Sequence, residues 1–169
     1  TVTPFDPPLP EGDPMAAKTQ VPAVEGWFTM DPDHPALLGS QCAGCSAIFF
    51  PRETLFCRNP ACQSREFGEI ELSRTGTIWS FTDNRYQPPA PYVSPDPFVP
   101  YTIAAVELAA EQMVVLGQVE PGIAVTDLHA GMTVELVLGT LYEDDEHEYL
   151  VWRWRPVTDQ SATNEEVAP

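Results

Sequence analysis

Basic residues are what this chain most lacks: eight lysines and arginines stand against 25 acidic residues, for a formal net charge of −17. Such a field repels a phosphate backbone and excludes general nucleic-acid binding. Long hydrophobic runs are missing too. None approaches the roughly 20 apolar residues that cross a bilayer as a helix, so no membrane role is expected and the chain reads as cytoplasmic. No long amphipathic helical period appears, which leaves a mainly β fold. A catalytic constellation is equally absent. His34, His129 and His147 are far apart and belong to no nucleophile-elbow or zinc-protease pattern. Asp144 and Asp145 sit in the acidic run Glu143 to Glu148, a solvated turn where tuned carboxyl groups are not expected. No catalytic residue is assigned, and a stand-alone enzyme is not expected.

What is there begins with QCAGCSAIFFPRETLFCRNPAC, which holds all four cysteines as two close pairs, Cys42 with Cys45 and Cys57 with Cys62. Tight turns within each pair and a hairpin between them bring four thiolates onto one cation. Gly44 offers a permissive backbone for the first turn and Pro60 shapes the second. Four sulfurs point to tetrahedral Zn²⁺, with iron in a rubredoxin-like site as the rival. Two disulfides are the poorer reading, because the residues present show no secretion leader and a bridge across two residues is redox-active or strained. A four-cysteine sphere leaves no position for water or substrate, so the metal is structural and folds a ribbon too small to fold unaided.

With 169 residues and 43% hydrophobic content, the chain accommodates one small metal module and one compact domain. Residues 1–25 are proline-dense and read as an extended or short helical interdomain arm, as if this were an excised C-terminal module. Residues 26–70 are expected to form the zinc ribbon with its lead-in, where Trp27 and Phe28 are the anchors and Ala36 to Leu38 enter the first strand. Residues 71–157 carry five strand signals: Thr77 to Thr82, Tyr101 to Leu108, Gln112 to Val119, Thr133 to Tyr142 and Tyr149 to Arg155. Gly76 marks a bend or bulge before the first of them. Five strands with a longer link from Glu120 to Ala130 fit a barrel of the OB type better than a sandwich of about seven. Residues 158–169 read as a disordered acidic tail.

Three surfaces invite a functional reading. Phe49 and Phe50 point to opposite faces of the ribbon's return strand, so one must face another domain or a partner. Arg52, Arg58 and Arg65, with Arg74 and Arg85, concentrate scarce positive charge near the ribbon; they either meet phosphates of a ligand such as coenzyme A or balance neighbouring glutamates. The segment Gln87 to Pro100, QPPAPYVSPDPFVP, displays Tyr92 and Phe98 on a stiff backbone, and either offers a partner or ligand surface or folds back over a barrel mouth.

The two knuckles around Phe50-Pro51-Arg52, then Thr75-Gly76-Thr77, a proline-rich loop, Val106-Glu107-Leu108, and Ala130-Gly131-Met132-Thr133-Val134 resemble the zinc-ribbon OB-fold proteins long catalogued as a domain of unknown function. The resemblance covers residues 25 to 157. The second knuckle departs from it, with four residues between cysteines where two are commoner. Members accompany thiolase-like enzymes of acyl-CoA chemistry, and some are the C-terminal part of a MaoC-like enoyl-CoA hydratase of actinobacterial steroid side-chain breakdown. The resemblance implies a non-catalytic subunit that binds and supports a thiolase-fold aldolase in a hetero-oligomer. The alternative it implies is a module that binds acyl-CoA directly and presents it. Phe49, Phe50, Arg52, Tyr92 and Phe98 would supply the partner or ligand surface, and Arg52, Arg58 and Arg65 the coenzyme A phosphate contacts.

Overall fold

The computed structural model describes residues 18–157. The expectations for most of the proline-rich arm, residues 1–17, and for the acidic tail, 158–169, fall outside that range. Among the described residues nine strands form two sheets, and one 3-10 turn lies in a link between strands.

The end of the arm that falls in the described range is extended, as the first strand, β1 (Thr19–Pro22), and not the short helix that is the other expectation. It adds parallel to the last strand, β9 (His147–Pro156), in the register Thr19↔His147 through Pro22↔Leu150. Thr19 and Val21 are β-branched, and Pro22, which has no N–H to give, is followed by Ala23, whose N–H donates to the Leu150 carbonyl at 2.7 Å.

Two strands flank β2 (Leu38–Cys42) in the ribbon: the two-residue β3 (Ile48–Phe49) and β4 (Phe67–Glu71), both antiparallel. The register Cys42↔Phe67 places a ligand cysteine at the end of β2, where the ladder opens into the first knuckle. The lead-in to β2 bridges back on itself at Phe28↔Leu37, and Leu37 is fully buried.

β5 (Thr75–Asn84), β6 (Tyr101–Leu108), β7 (Met113–Val119), β8 (Thr133–Glu143) and β9 close a five-stranded barrel in the order β5-β6-β7-β9-β8. β8 returns to β5 over Thr75–Thr77, and β7 meets β9 in parallel through Gln118↔Arg153 and Val119↔Trp154. Closure is what removes the sheet edges of so small a barrel. The register of β5 breaks between Ile78 and Ser80, around Trp79, and not at Gly76 where the sequence places the bulge. That is where β5 leaves β8 to follow β6 alone, and the extra residue supplies the coil that closure demands. The link from β7 to β8 holds a single 3-10 turn, Val125–Asp127, whose Asp127 carboxylate accepts the Ala124 N–H at 3.3 Å.

Alternation decides what fills the barrel. Val134 and Leu136 of β8 and Trp152 and Trp154 of β9 point inward with Ile78, Val106, Leu108 and Val115. The same core takes in Phe28 and Leu37 from the lead-in, so ribbon and barrel share one hydrophobic interior.

Candidate metal centre and adjoining surfaces

The first knuckle forms because Cys42 ends a strand while its carbonyl accepts the Ser46 N–H at 2.9 Å, which turns the chain within four residues. Gly44 is needed for room rather than for an unusual φ. A Cβ there would meet the Ser64 Cβ at 2.9 Å and the Cys62 Sγ at 3.1 Å. The longer second knuckle is shaped by Asn59: its side-chain oxygen accepts from the Ala61 N–H at 3.0 Å and its carbonyl from the Cys62 N–H at 2.9 Å. Such a local Asx turn lets a four-residue spacing converge as a shorter one would.

The result is four Sγ atoms within 4.8 Å of one another, with Cys42 Sγ 3.7 Å from Cys62 Sγ and Cys45 Sγ 3.5 Å from Cys57 Sγ. A tetrahedron with metal–sulfur bonds of about 2.3 Å has edges of about 3.8 Å, so the donor set fits Zn²⁺ without rearrangement. Burial pushes the Cys42 thiol up, but N–H groups of Cys45 and Gly44 and the neighbouring sulfurs outweigh it and bring it to about 6. Burial and the adjacent sulfurs push Cys57 to about 12. A cation bound by the four sulfurs holds them as thiolates, so binding displaces the protons that the thiols with raised pKa still carry. Four protein ligands close the sphere, so the Zn²⁺ is structural.

Around the metal, the structure separates the aromatic pair. Phe49 packs edge-on against Phe67 within the ribbon, centroids 6.2 Å apart. Phe50 turns to the barrel, edge-on to Trp27 at 5.6 Å and to Trp152 at 6.0 Å; Trp27 in turn stacks on Trp152 at 5.9 Å. This aromatic cluster is the hinge between the two units. Arg52 pairs with Glu69 and donates to the Gly26 carbonyl at 2.7 Å, and Arg58 pairs with Glu53 at 2.6 Å. Arg65 lines a shallow cavity of about 320 Å³ with Arg52, Glu53 and Glu69.

The proline-rich loop folds back on the barrel. Tyr92 stacks on Tyr101 at 5.9 Å, its hydroxyl accepts from Gln118 Nε2 at 3.1 Å, and Phe98 meets Tyr101 edge-on at 6.2 Å. Together with the 3-10 turn it walls a cavity of about 670 Å³, with Arg153 of β9 on its lining. Arg153 lies in the strand expected from Tyr149 to Arg155, but nothing in the sequence singles it out. Its residue is 7% exposed, and burial lowers its pKa. The signal is its pairing with a bare position: a Cβ on Gly139 would lie 2.7 Å from the Arg153 Nε, a relation that needs the β8–β9 register to see.

Opposite this cavity in character, Trp79, Val114 and Leu116 stand on the outer face of β5 and β7, 66%, 46% and 63% exposed.

Comparisons with known proteins agree with this geometry. Residues 31–68 match the family model described as the ChsH2 rubredoxin-like zinc ribbon domain, and residues 69–139 the model described as the ChsH2 C-terminal OB-fold domain. A chain of a solved structure titled "Ltp2-ChsH2(DUF35) aldolase" is similar at 30% identity, with a TM-score of 0.52, over 72% of this chain and 84% of that one. The chain belongs to the ChsH2 family, as a zinc ribbon followed by that family's OB-fold domain.

Proposed function

We propose that the chain is a non-catalytic subunit that docks on and supports a thiolase-fold aldolase acting on acyl-CoA thioesters. The observation that carries this is the likeness to a chain of a solved Ltp2–ChsH2 aldolase, at 30% identity over 84% of its length. The retro-aldol chemistry belongs to the partner, and the steroid side-chain role implied by the resemblance is part of the same reading. The surface we assign to the partner is the outer face that carries Trp79 on β5 and, across β6, Val114 and Leu116 on β7, because a largely exposed tryptophan is the side chain best suited to anchor an interface. Of the residues singled out in sequence, Phe50 and Tyr92 are spent on contacts within the chain, while Arg52 and Arg58 are held by Glu69 and Glu53.

Co-expression with such an aldolase tests the reading. The two should co-elute on size exclusion, cleavage activity should require both, and Trp79→Glu with Leu116→Glu should separate them while leaving the zinc content intact. Elution as separate species at micromolar concentration sinks the proposal. Direct presentation of acyl-CoA is the second reading, in which Arg65 and its neighbours meet the phosphates. Calorimetry with coenzyme A esters, on the chain and on an Arg65→Ala variant, decides it.

A further inference from the structure

We propose that the cavity between the proline-rich loop and the barrel is a binding site for a small amphiphilic anion, its carboxylate or phosphate head on Arg153 and its apolar body along Pro100, Ile123 and Leu141. This is separate from the aldolase reading and from the ribbon arginines.

A buried guanidinium without a direct ion-pair partner is costly. Arg153 is such a group, with Glu120 acting on its charge only from beyond ion-pair distance. Its Nη2 donates to the Thr140 carbonyl at 2.5 Å, its Nε is buried without a partner, and among the described residues no carboxylate forms an ion pair with it. In a chain with 25 acidic residues a carboxylate partner was readily to hand. Of the acidic groups on the cavity lining, Asp83 accepts from Thr102 at 3.0 Å and pairs with Arg85 at 3.0 Å, while Glu120 lies 3.8 Å from Arg155 and its charge also reaches Arg153 without an ion pair.

The barrel also makes room for this side chain, because any residue larger than glycine at 139 would collide with it. Tyr92 and Gln118, hydrogen-bonded to each other, close one side. At about 670 Å³ the space matches a ligand of drug size, and an apolar wall of Val99, Pro100, Ile123 and Leu141 faces a polar side that holds Arg153 with Asp83, Arg85 and Glu120. An anionic head and an apolar tail fit those two features together.

The test uses the 169-residue chain with three probes of equal tail length, each below its micelle concentration: decanoate, decyl phosphate and decanol. Thermal shift and calorimetry should show saturable binding of at least one anion and none of decanol. Binding of decanoate alone assigns a carboxylate ligand, and of decyl phosphate alone a phosphate. Arg153→Met should weaken the bound anion by about ten- to hundredfold, the scale of a charged hydrogen bond. Val99→Trp offers a second route, since Val99 lines the cavity and is 60% exposed, so a larger side chain there blocks the space without disturbing the core. Anion binding that survives both variants, equal binding of decanol, or no binding of any probe overturns the proposal.

Discussion

The ribbon and the barrel solve the same problem by different means. The barrel closes on Trp154, Leu136, Val106 and Leu108, all within 1% of complete burial. Around its knuckles the ribbon has only partly buried Ile48 and Phe49 in β3 and Phe67 in β4, and a loop with Leu55 and Phe56 at 69% and 58% exposure. What the knuckles enclose is four sulfurs. A unit of this size cannot offset its chain entropy by apolar burial, and the metal does so instead. The comparison teaches that the two units answer to different perturbations although they share the core around Phe28 and Leu37.

Removing the metal is the largest way to break that comparison. Structural zinc is worth about 10–16 kcal/mol in isolated finger peptides, comparable to the whole stability of a typical domain. Cys42→Ser, or a strong chelator, should abolish zinc stoichiometry and open residues 43–66 to proteolysis while the barrel keeps a cooperative thermal transition. If the barrel melts with the ribbon, the units are one cooperative body and the contrast is wrong. If the variant holds its zinc, the scaffold role is wrong.

A core truncation strikes the other unit. Trp154→Ala should cost about 3–5 kcal/mol, the range for emptying a buried aromatic site, read as a lower denaturant midpoint. Zinc content should persist at denaturant concentrations where the barrel is still folded. Trp79→Ala, on the outer face, should stay within about 0.5 kcal/mol and serves as the control.

Between these lies the hinge. Phe50→Ala removes edge-on contacts with Trp27 and Trp152 and should cost about 2 kcal/mol, from two aromatic pairs of roughly 0.5–1.5 kcal/mol each with some lost burial. Unlike Trp154→Ala, it should loosen the ribbon against the barrel. Hydrogen exchange should rise at Trp27, Leu38 and β3, with both units still folded.

How far the sequence reaches follows from the same contrast. The cysteine spacing and the inward alternation of Val134, Leu136, Trp152 and Trp154 are local patterns, and both the zinc ribbon and the five-stranded OB barrel follow from them. Relations across strands were not legible. The parallel addition of β1 to β9 joins residues more than a hundred positions apart, and the Gly139–Arg153 fit exists only once β8 and β9 are in register. The exposed tryptophan was hidden too, because Trp79 looks like a core residue until the bulge beside it turns the strand.

The smallest effect belongs to the barrel's rim, where neither core nor metal acts. Asp144 caps the turn from β8 to β9, accepting from the N–H groups of Glu146 at 2.9 Å and His147 at 2.6 Å and from the Tyr149 hydroxyl at 3.0 Å. Those donors, the two backbone groups first, hold its carboxyl below the ordinary aspartate value. Glu148, bonded by Thr140 and then Gln20, is depressed as well, and it ties β1 to β9. A depressed carboxyl binds protons more weakly in the folded state than in the unfolded chain. Its contribution is therefore complete above the unfolded value, near pH 4, and is lost as pH falls through the folded value. Asp144→Asn should lower the thermal midpoint slightly at pH 7, and the gap from the parent chain should close between pH 4 and more acid conditions. A gap that stays constant with pH would show that the turn is held by shape alone, and a gap as large as that of Phe50→Ala would place this rim on a level with the hinge.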